Sequence, residues 1–195
     1  NRDIYHSELN TFFDRSIDEL EGFFEPHKRG AQAAGIRIQQ MHMPYPIYVP
    51  NGSRELNDYL WREVAPKSMA LCAYLECPYI VIHGFKLARF LGSEEKEWAQ
   101  TEKFIDSIVP YAKEGVTICI ENLYEGVGGH LVEGPCCDAG KAAERIDRIN
   151  EKYRAEVLGF CLDTGHANLV GLNMEKFITG LGFRLKVLHI HDNDG

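Results

Sequence analysis

Carboxylate and imidazole side chains follow apolar runs at several places in this 195-residue sequence. The clearest case is residues 159–166, Gly-Phe-Cys-Leu-Asp-Thr-Gly-His, in which Asp163 ends the run and His166 follows three residues later. Comparable transitions end at His42, His83, Glu121 and His189. Carboxylate oxygens and imidazole nitrogens bind divalent cations, and they also take up and release protons in catalysis. These residue types in this pattern therefore indicate metal-assisted acid–base chemistry, provided that the fold brings them together.

Each of these residues has a simpler explanation when it is considered alone. A carboxylate such as Glu121 can cap a loop or pair with a Lys or Arg, and Asp163 is of a type common in turns. His42 or His83 alone would more often be a hydrogen-bonded core histidine than a ligand. Together, at the same end of successive strands, such groups would crowd like charges unless a cation neutralised them. We therefore predict that Glu121, Asp163 and His189 bind a divalent metal ion.

The ligand types limit the choice of metal. Two carboxylates and one imidazole suit Mn²⁺, Mg²⁺, Co²⁺ or Zn²⁺, whereas the absence of thiolates argues against a structural zinc site. We expect one ion, with Mn²⁺ placed ahead of the other three. His191 shares the strand face of His189, and Asp192 is either a partner that orients His189 or part of a solvated acidic tail. Glu125 and His130 lie in a glycine-rich stretch, where solvent exposure is expected.

Apolar periodicity predicts the elements that must position these residues. The spacing from residue 7 to 34 predicts a helix that Pro26 kinks or divides. Further helices are predicted from Ser53 to about residue 76 with an interruption near Pro66, from Ser93 to 115, from Asp138 to about 153, and over 174–179. Strands are predicted at residues 36–41, 79–82, 116–120, 157–162 and 185–190. Residues 126–134 are predicted to form a glycine-rich loop. Gly165 is predicted to let the chain turn after the fourth strand.

Side chains alternate between the two faces of a strand, so the polar strand ends define an inward face. With Asp163 inward, Phe160 and Leu162 must point outward against helices. The inward set predicted in this way is Thr117, Cys119, Glu121, Cys161, Asp163, Leu185, Val187 and His189.

The alternation of strands and helices predicts an α/β fold with a parallel sheet covered by helices. Two architectures compete, an open doubly wound sheet and a (β/α)₈ TIM barrel. No glycine-rich phosphate fingerprint follows a strand, whereas polar groups end every strand, and both observations favour the barrel. Because barrels usually need roughly 250 residues, we expect this chain to cover about five strands of a longer barrel, with strands missing at both ends.

Composition narrows the class of partner. The formal net charge of −8 and the lack of a basic stretch argue against a nucleic-acid partner. No apolar stretch approaches the roughly 20 residues of a membrane span, and no signal peptide is recognisable. The six cysteines lack zinc-ribbon spacing and are predicted to be reduced thiols. We expect a soluble, cytoplasmic protein that contacts neither nucleic acid nor membrane.

Five segments together resemble the xylose isomerase-like TIM barrel superfamily, which includes sugar and sugar-phosphate isomerases and epimerases and the AP endonucleases. They are residues 41–44 (MHMP), 81–84 (VIHG), 120–122 (IEN), 162–166 (LDTGH) and 189–192 (HIHD). The resemblance implies a single, incomplete barrel domain over residues 1–195, whose strands are the third to the seventh. The first two strands and the eighth, which normally supplies a fourth, glutamate ligand, would lie outside the sequence.

The resemblance also implies roles for individual residues. Glu121, Asp163 and His189 would be metal ligands, and Glu121 would in addition be the catalytic acid or base. His166 and Asn122 would contact the substrate. His42 and His83 would contact the substrate in the pocket or bind additional metal.

The function implied by the resemblance is that of a divalent-metal-dependent sugar or sugar-phosphate isomerase or epimerase. A proton next to the carbonyl leaves to give an enediolate, which a divalent ion stabilises. The partner is then a small-molecule sugar, and a homo-oligomer is an open option. The alternatives are a metal-dependent phosphodiesterase of the AP endonuclease type and a metal-binding barrel without catalysis. The sequence motifs do not distinguish isomerases from dehydratases of related sugars or inositols.

Overall fold

Five parallel strands form one sheet that makes up half of a barrel. The structure is a computed structural model that describes residues 12–87, 93–112 and 115–193. In spatial order the strands are β1 (Gln40–His42), β2 (Tyr79–His83), β3 (Thr117–Glu121), β6 (Leu158–Asp163) and β7 (Leu185–His189). Two further strands, β4 (Tyr124–Val127) and β5 (His130–Glu133), pair as an antiparallel hairpin after β3. The predicted α/β fold with a parallel sheet is confirmed.

Helices connect and cover the strands. They are α1 (Ile17–Ala33), α2 (Arg54–Tyr59), α3 (Ala65–Tyr74), α4 (Glu94–Ile108), α5 (Ala139–Tyr153), α6 (Thr164–Leu169) and α7 (Met174–Leu181). A π-helical turn over Leu60–Val64 joins α2 to α3 next to the predicted interruption at Pro66. Ser53, Ser93 and Asp138 cap their helices as predicted, because each side chain accepts a hydrogen bond from a backbone N–H of the first turn.

The first helix runs through Pro26 without a break, so the predicted division at this residue is wrong. Its start is fixed by a reciprocal capping box between Ser16 and Glu19. Leu20, on the N-terminal side of the proline, is fully buried. Packing around Leu20 stabilises the helix enough to offset the loss of the one backbone hydrogen bond that proline cannot donate. Residues 7–11 of the predicted helix lie outside the described residues.

The two faces of the sheet bury different sets of side chains. Phe160 and Leu162 point outward into the main core, which they share with residues of the covering helices. A separate cluster of Val81, Cys119, Cys161 and Val187 fills the inner face. The predicted alternation is therefore confirmed at these positions of β3, β6 and β7. Leu185, predicted to point inward, packs against the main core instead, because the pairing of β6 with β7 shifts register between Phe160 and Cys161. The polar strand ends rise directly above the inner cluster.

Three local features differ from the sequence-based expectation. The predicted glycine-rich loop contains the β4–β5 hairpin, since Gly128 and Gly129 adopt the positive φ angles that a tight hairpin turn requires. The segment after β6 forms a short helix, α6, because Asp163 accepts a hydrogen bond from the backbone N–H of His166. The first strand is only three residues long.

All six cysteines are free and buried. Among the described residues, no helix is both long enough and apolar enough to cross a membrane.

Candidate active site

Strand register brings the polar residues to one edge of the sheet. His83 at the end of β2 lies opposite Glu121 at the end of β3, and Asp163 at the end of β6 lies opposite His189 at the end of β7. His42 ends β1 beside the same edge. Because all five strands are parallel, their carboxyl ends face the same space.

Glu121 stands at the centre of this cluster and is 1% exposed. Its Oε2 atom lies 3.1 Å from the Nε2 atoms of both His42 and His83. Its Oε1 atom lies 3.2 Å from Nδ1 of His189 and 3.4 Å from Nδ1 of His166. One buried carboxylate thus contacts imidazoles from four different segments of the chain.

These contacts determine the charge of the Glu121 carboxyl. Burial raises its pKa, but hydrogen bonds with His189, His42 and His83 outweigh burial and hold the pKa well below its usual range. The hydrogen bond with Glu121 raises the pKa of His189. Burial lowers the pKa of His83, so this imidazole is neutral at pH 7, which is the form that binds a metal ion.

Asp163 lies next to this cluster and divides its two oxygens between different partners. Oδ1 accepts a hydrogen bond from the backbone N–H of His166 at 2.7 Å and lies 2.8 Å from Nε2 of His191. Oδ2 lies 3.7 Å from Nδ1 of His166 and 3.8 Å from Nδ1 of His189. The structure therefore brings the three predicted metal ligands close together, since Nδ1 of His189 lies 3.2 Å from Glu121 and 3.8 Å from Asp163.

The hydrogen bonding of His42 fits a cation at this position. Its Nδ1 atom lies 2.7 Å from the carbonyl oxygen of Met43, which can only accept a hydrogen bond, so Nδ1 carries a proton. Nε2 of the same ring faces the Glu121 carboxylate. The two atoms lie 3.1 Å apart, and this contact is favourable when a proton, or a metal ion in place of that proton, lies between them.

The donor set also fits a divalent metal. Among the described residues, three groups hold ligand atoms within 4.8 Å of one another, and all three contain Glu121. They are His42 with His83 and Glu121, Glu121 with Cys161 and His189, and Glu121 with Asp163 and His166. Burial raises the pKa of Cys161, which disfavours its thiolate and leaves oxygen and nitrogen donors as the better ligands.

A cleft of about 690 Å³ adjoins the cluster. His83 and His166 are among its lining residues, and the rings of Tyr45 and Tyr124 lie 4.4 and 5.1 Å from these two imidazoles, respectively. His42, also predicted to contact a substrate, is not one of the lining residues, but its ring lies 5.4 Å from that of Tyr45 and contacts Glu121. The tyrosines come from the segments that follow β1 and β3.

Asn122, the fourth residue predicted to contact a substrate, is completely buried and joins β3 to β6. Its side-chain oxygen accepts a hydrogen bond from the backbone N–H of Asp163 at 2.8 Å, and its nitrogen donates to the carbonyl oxygen of Asp163 at 3.0 Å. The carbonyl oxygen of Asn122 also accepts a hydrogen bond from Nδ1 of His166 at 2.9 Å. This residue therefore holds two members of the cluster in position, while its predicted substrate contact stays a prediction.

We expect Asn122→Ala to destabilise the protein by roughly 1–3 kcal/mol, because the substitution leaves two buried backbone groups of Asp163 without partners. Urea denaturation, followed by circular dichroism, measures this change. Asn168→Ala is the matched control, since Asn168 is exposed and its side chain donates to Asn193 rather than to a buried group. Equal stability of the two variants would show that the Asn122 bridge contributes nothing.

A parallel half-barrel whose strands end in carboxylates and imidazoles defines a TIM-barrel protein with its functional groups at the carboxyl ends of the strands. The sequence profile of xylose isomerase-like TIM barrels matches residues 13–195. The chain belongs to this family, as its resemblance predicted. A comparison with curated protein sequences gives no match.

Solved structures share the fold at low sequence identity. A D-tagatose 3-epimerase-like protein is 18% identical with a TM-score of 0.64, over 91% of this chain and 63% of that one. A D-psicose 3-epimerase in the presence of D-fructose is 17% identical with a TM-score of 0.66, over 92% of this chain and 60% of that one. Endonuclease IV from Thermus thermophilus is 18% identical with a TM-score of 0.59, over 86% of this chain and 58% of that one. The chain thus spans about three-fifths of the length of these proteins.

Proposed function

We propose that this chain carries most of the active site of a divalent-metal-dependent isomerase or epimerase of sugars or sugar phosphates. The observation that supports it best is the Glu121 carboxylate, buried among the imidazoles of His42, His83 and His189 at 3.1–3.2 Å. A buried carboxylate surrounded by imidazoles at the mouth of a barrel is suited both to metal binding and to proton transfer. The sugar epimerases among the proteins of similar fold support the same function.

Glu121, Asp163 and His189 would hold the ion, with Mn²⁺ expected first and Mg²⁺, Co²⁺ or Zn²⁺ as alternatives. When bound, a divalent ion would polarise the carbonyl of the substrate and so acidify the neighbouring C–H group. Glu121, at the centre of the cluster, would take up that proton. His166 would hold the substrate from the cleft side, where it lies against Tyr124.

The cleft suits a small polar molecule. Its volume of about 690 Å³ lies within the range that is usual for small-molecule sites. In a complex with a sugar, the rings of Tyr45 and Tyr124 would pack against its C–H side, and the imidazoles of His83 and His166 would form hydrogen bonds with its hydroxyl groups. Lys86 also lines the cleft, where its amine donates a hydrogen bond to the carbonyl oxygen of Tyr124 at 2.5 Å.

Phosphodiester hydrolysis is the second candidate function, and one feature favours it. His42, His83 and Glu121 form one ligand group, and Glu121 also belongs to the group that contains Asp163, so the cluster has donors for a second ion that shares the Glu121 carboxylate. Several ions could activate water and bind a phosphate together. The net charge of −8 argues against a nucleic-acid substrate.

Metal content and proton exchange separate these functions. In the full-length protein we expect about one divalent ion per chain, measured by mass spectrometry of metals after dialysis. With a ketose in D₂O, we expect deuterium to enter the carbon next to the carbonyl, and this exchange should stop when the metal is removed with EDTA and return with Mn²⁺.

Two results would count against the isomerase. Two or three ions per chain, together with metal-dependent cleavage of DNA at an abasic site, would favour the phosphodiesterase. Metal binding without exchange on any ketose and without DNA cleavage would favour a barrel that binds metal but does not catalyse. A protein that binds no divalent ion would contradict all three hypotheses.

A further inference from the structure

His191 lies just beyond β7, outside the set of predicted ligands, and yet its side chain reaches back into the site. Its Nε2 atom is 2.8 Å from Oδ1 of Asp163, although the His191 side chain is half exposed. The backbone of His191 is anchored next to the same strand end, since its N–H and its carbonyl oxygen both lie 3.4 Å from Oγ1 of Thr164. The Thr164 hydroxyl also contacts the carbonyl oxygen of His189 at 3.2 Å.

Gly165 makes this contact sterically possible. A Cβ atom at this position would lie 1.9 Å from Cε1 of His191 and 2.4 Å from each of its ring nitrogens, which is far inside van der Waals contact. The φ angle of Gly165 does not fall in the positive region, so the backbone does not require glycine. Space for the imidazole, rather than freedom to turn the chain as the sequence suggested, is the physical reason for glycine at this position.

The contact gives the two oxygens of the Asp163 carboxylate different surroundings. Oδ1 is occupied by two donors, the backbone N–H of His166 and the ring of His191. Oδ2 faces the imidazoles of His166 and His189 at 3.7 and 3.8 Å, a spacing at which no direct hydrogen bond forms. Only Oδ2 is therefore left to point into the cluster around Glu121.

We propose that His191 is a positioning residue, which fixes the Asp163 carboxylate so that Oδ2 alone is presented to a divalent ion. This inference rests on the proposed role of Asp163 as a ligand of that ion. A hydrogen bond from a neighbouring side chain orients a carboxylate ligand, and its loss typically weakens metal binding 10- to 100-fold. Gly165 belongs to the same arrangement, because its missing side chain admits the His191 ring.

Three variants test the proposal by titration of the full-length metal-free protein with Mn²⁺. His191→Ala removes the hydrogen bond, and Gly165→Ala displaces the ring without altering it, so both should raise the Kd for Mn²⁺ by roughly tenfold or more. His191→Gln offers an amide nitrogen at similar reach and should stay within about threefold of the parent protein. Gly30→Ala is the control for the glycine change, since in the described part of the chain no atom outside the backbone of helix α1 lies within 4 Å of the added Cβ.

Thermal unfolding and Co²⁺ absorption spectra separate positioning from mere structural support. A positioning role predicts an altered Co²⁺ band in His191→Ala with a nearly unchanged melting temperature of the metal-free protein. Gly165→Ala places a better helix former in α6, so a weaker Kd in this variant reports the clash with His191 rather than loss of the helix.

The outcomes are distinguishable from a failure of the proposed site itself. If Asp163→Asn binds Mn²⁺ as tightly as the parent protein, Asp163 is not a ligand and the proposed metal site is wrong. If Asp163→Asn binds weakly but His191→Ala stays within about threefold of the parent, the site stands and the positioning role is overturned. If His191→Gln binds as weakly as His191→Ala, the role is also overturned, in favour of His191 as a direct ligand.

Discussion

Glu121→Gln is expected to abolish metal retention and to lower the rate of substrate proton exchange by roughly 10³-fold, within the range that a general acid or base contributes. The substitution keeps the shape of the side chain and removes its charge. Of the two carboxylates in the cluster, Glu121 is the one that contacts four imidazoles, and it is part of every group of residues in the described chain that could hold a metal. No other substitution removes a donor from all three groups at once.

The expected loss follows from the electrostatics of the site. In the parent protein, burial raises the pKa of Glu121. The hydrogen bonds with His189, His42 and His83 lower this pKa by more than burial raises it, so the carboxylate stays charged. A glutamine amide offers one acceptor in place of two charged oxygens, and its NH₂ group points donors at imidazoles or at the incoming ion. A divalent cation then meets weaker attraction and a mismatched donor at a buried side chain.

Metal content by mass spectrometry and deuterium exchange measure the two effects separately. Glu156→Gln is the matched control, because it removes the same charge from an exposed ion pair with Lys186 and should change neither quantity. Retention of one ion per chain by the Glu121→Gln protein would show that the ligands lie elsewhere. Retained metal with lost exchange would instead confine Glu121 to proton transfer.

The placement of the site could be predicted because it depends on periodicity alone. Strand residues alternate between faces, and parallel strands end at one edge, so an apolar run that closes on Glu121 or Asp163 fixes where the carboxylate lies. The register of β2, β3, β6 and β7 then brings these ends together. None of these steps requires knowledge of side-chain contacts.

Other features depend on contacts that no local pattern reports. The hairpin after β3 requires two glycines with positive φ angles, and the same composition also suits an irregular loop. The bridge from Asn122 to the backbone of Asp163 spans 41 positions of the chain. The fit of His191 over Gly165 depends on a space of atomic size, which residue types alone do not reveal.

Phe160→Ala is expected to cost about 3–5 kcal/mol of unfolding free energy, the largest change in stability among these predictions. The side chain is fully buried on β6, between β3 and β7, and its ring packs against Phe177 of α7 with 5.6 Å between centroids. Removal of the ring would leave a cavity that the rigid sheet cannot fill, so the lost contacts are not replaced. Urea denaturation of the metal-free protein measures the change.

Phe183→Ala is the control, because this ring is 70% exposed and its loss should change stability by no more than about 0.5 kcal/mol. Phe160 faces the helices, whereas Asp163 ends the same strand on the opposite, inward face. Below the unfolding transition, Phe160→Ala should therefore bind Mn²⁺ within a few-fold of the parent protein despite its lower stability. If the affinity instead fell in proportion to stability, the packing of β6 and the position of Asp163 would be coupled, and the two faces of the strand would not act independently.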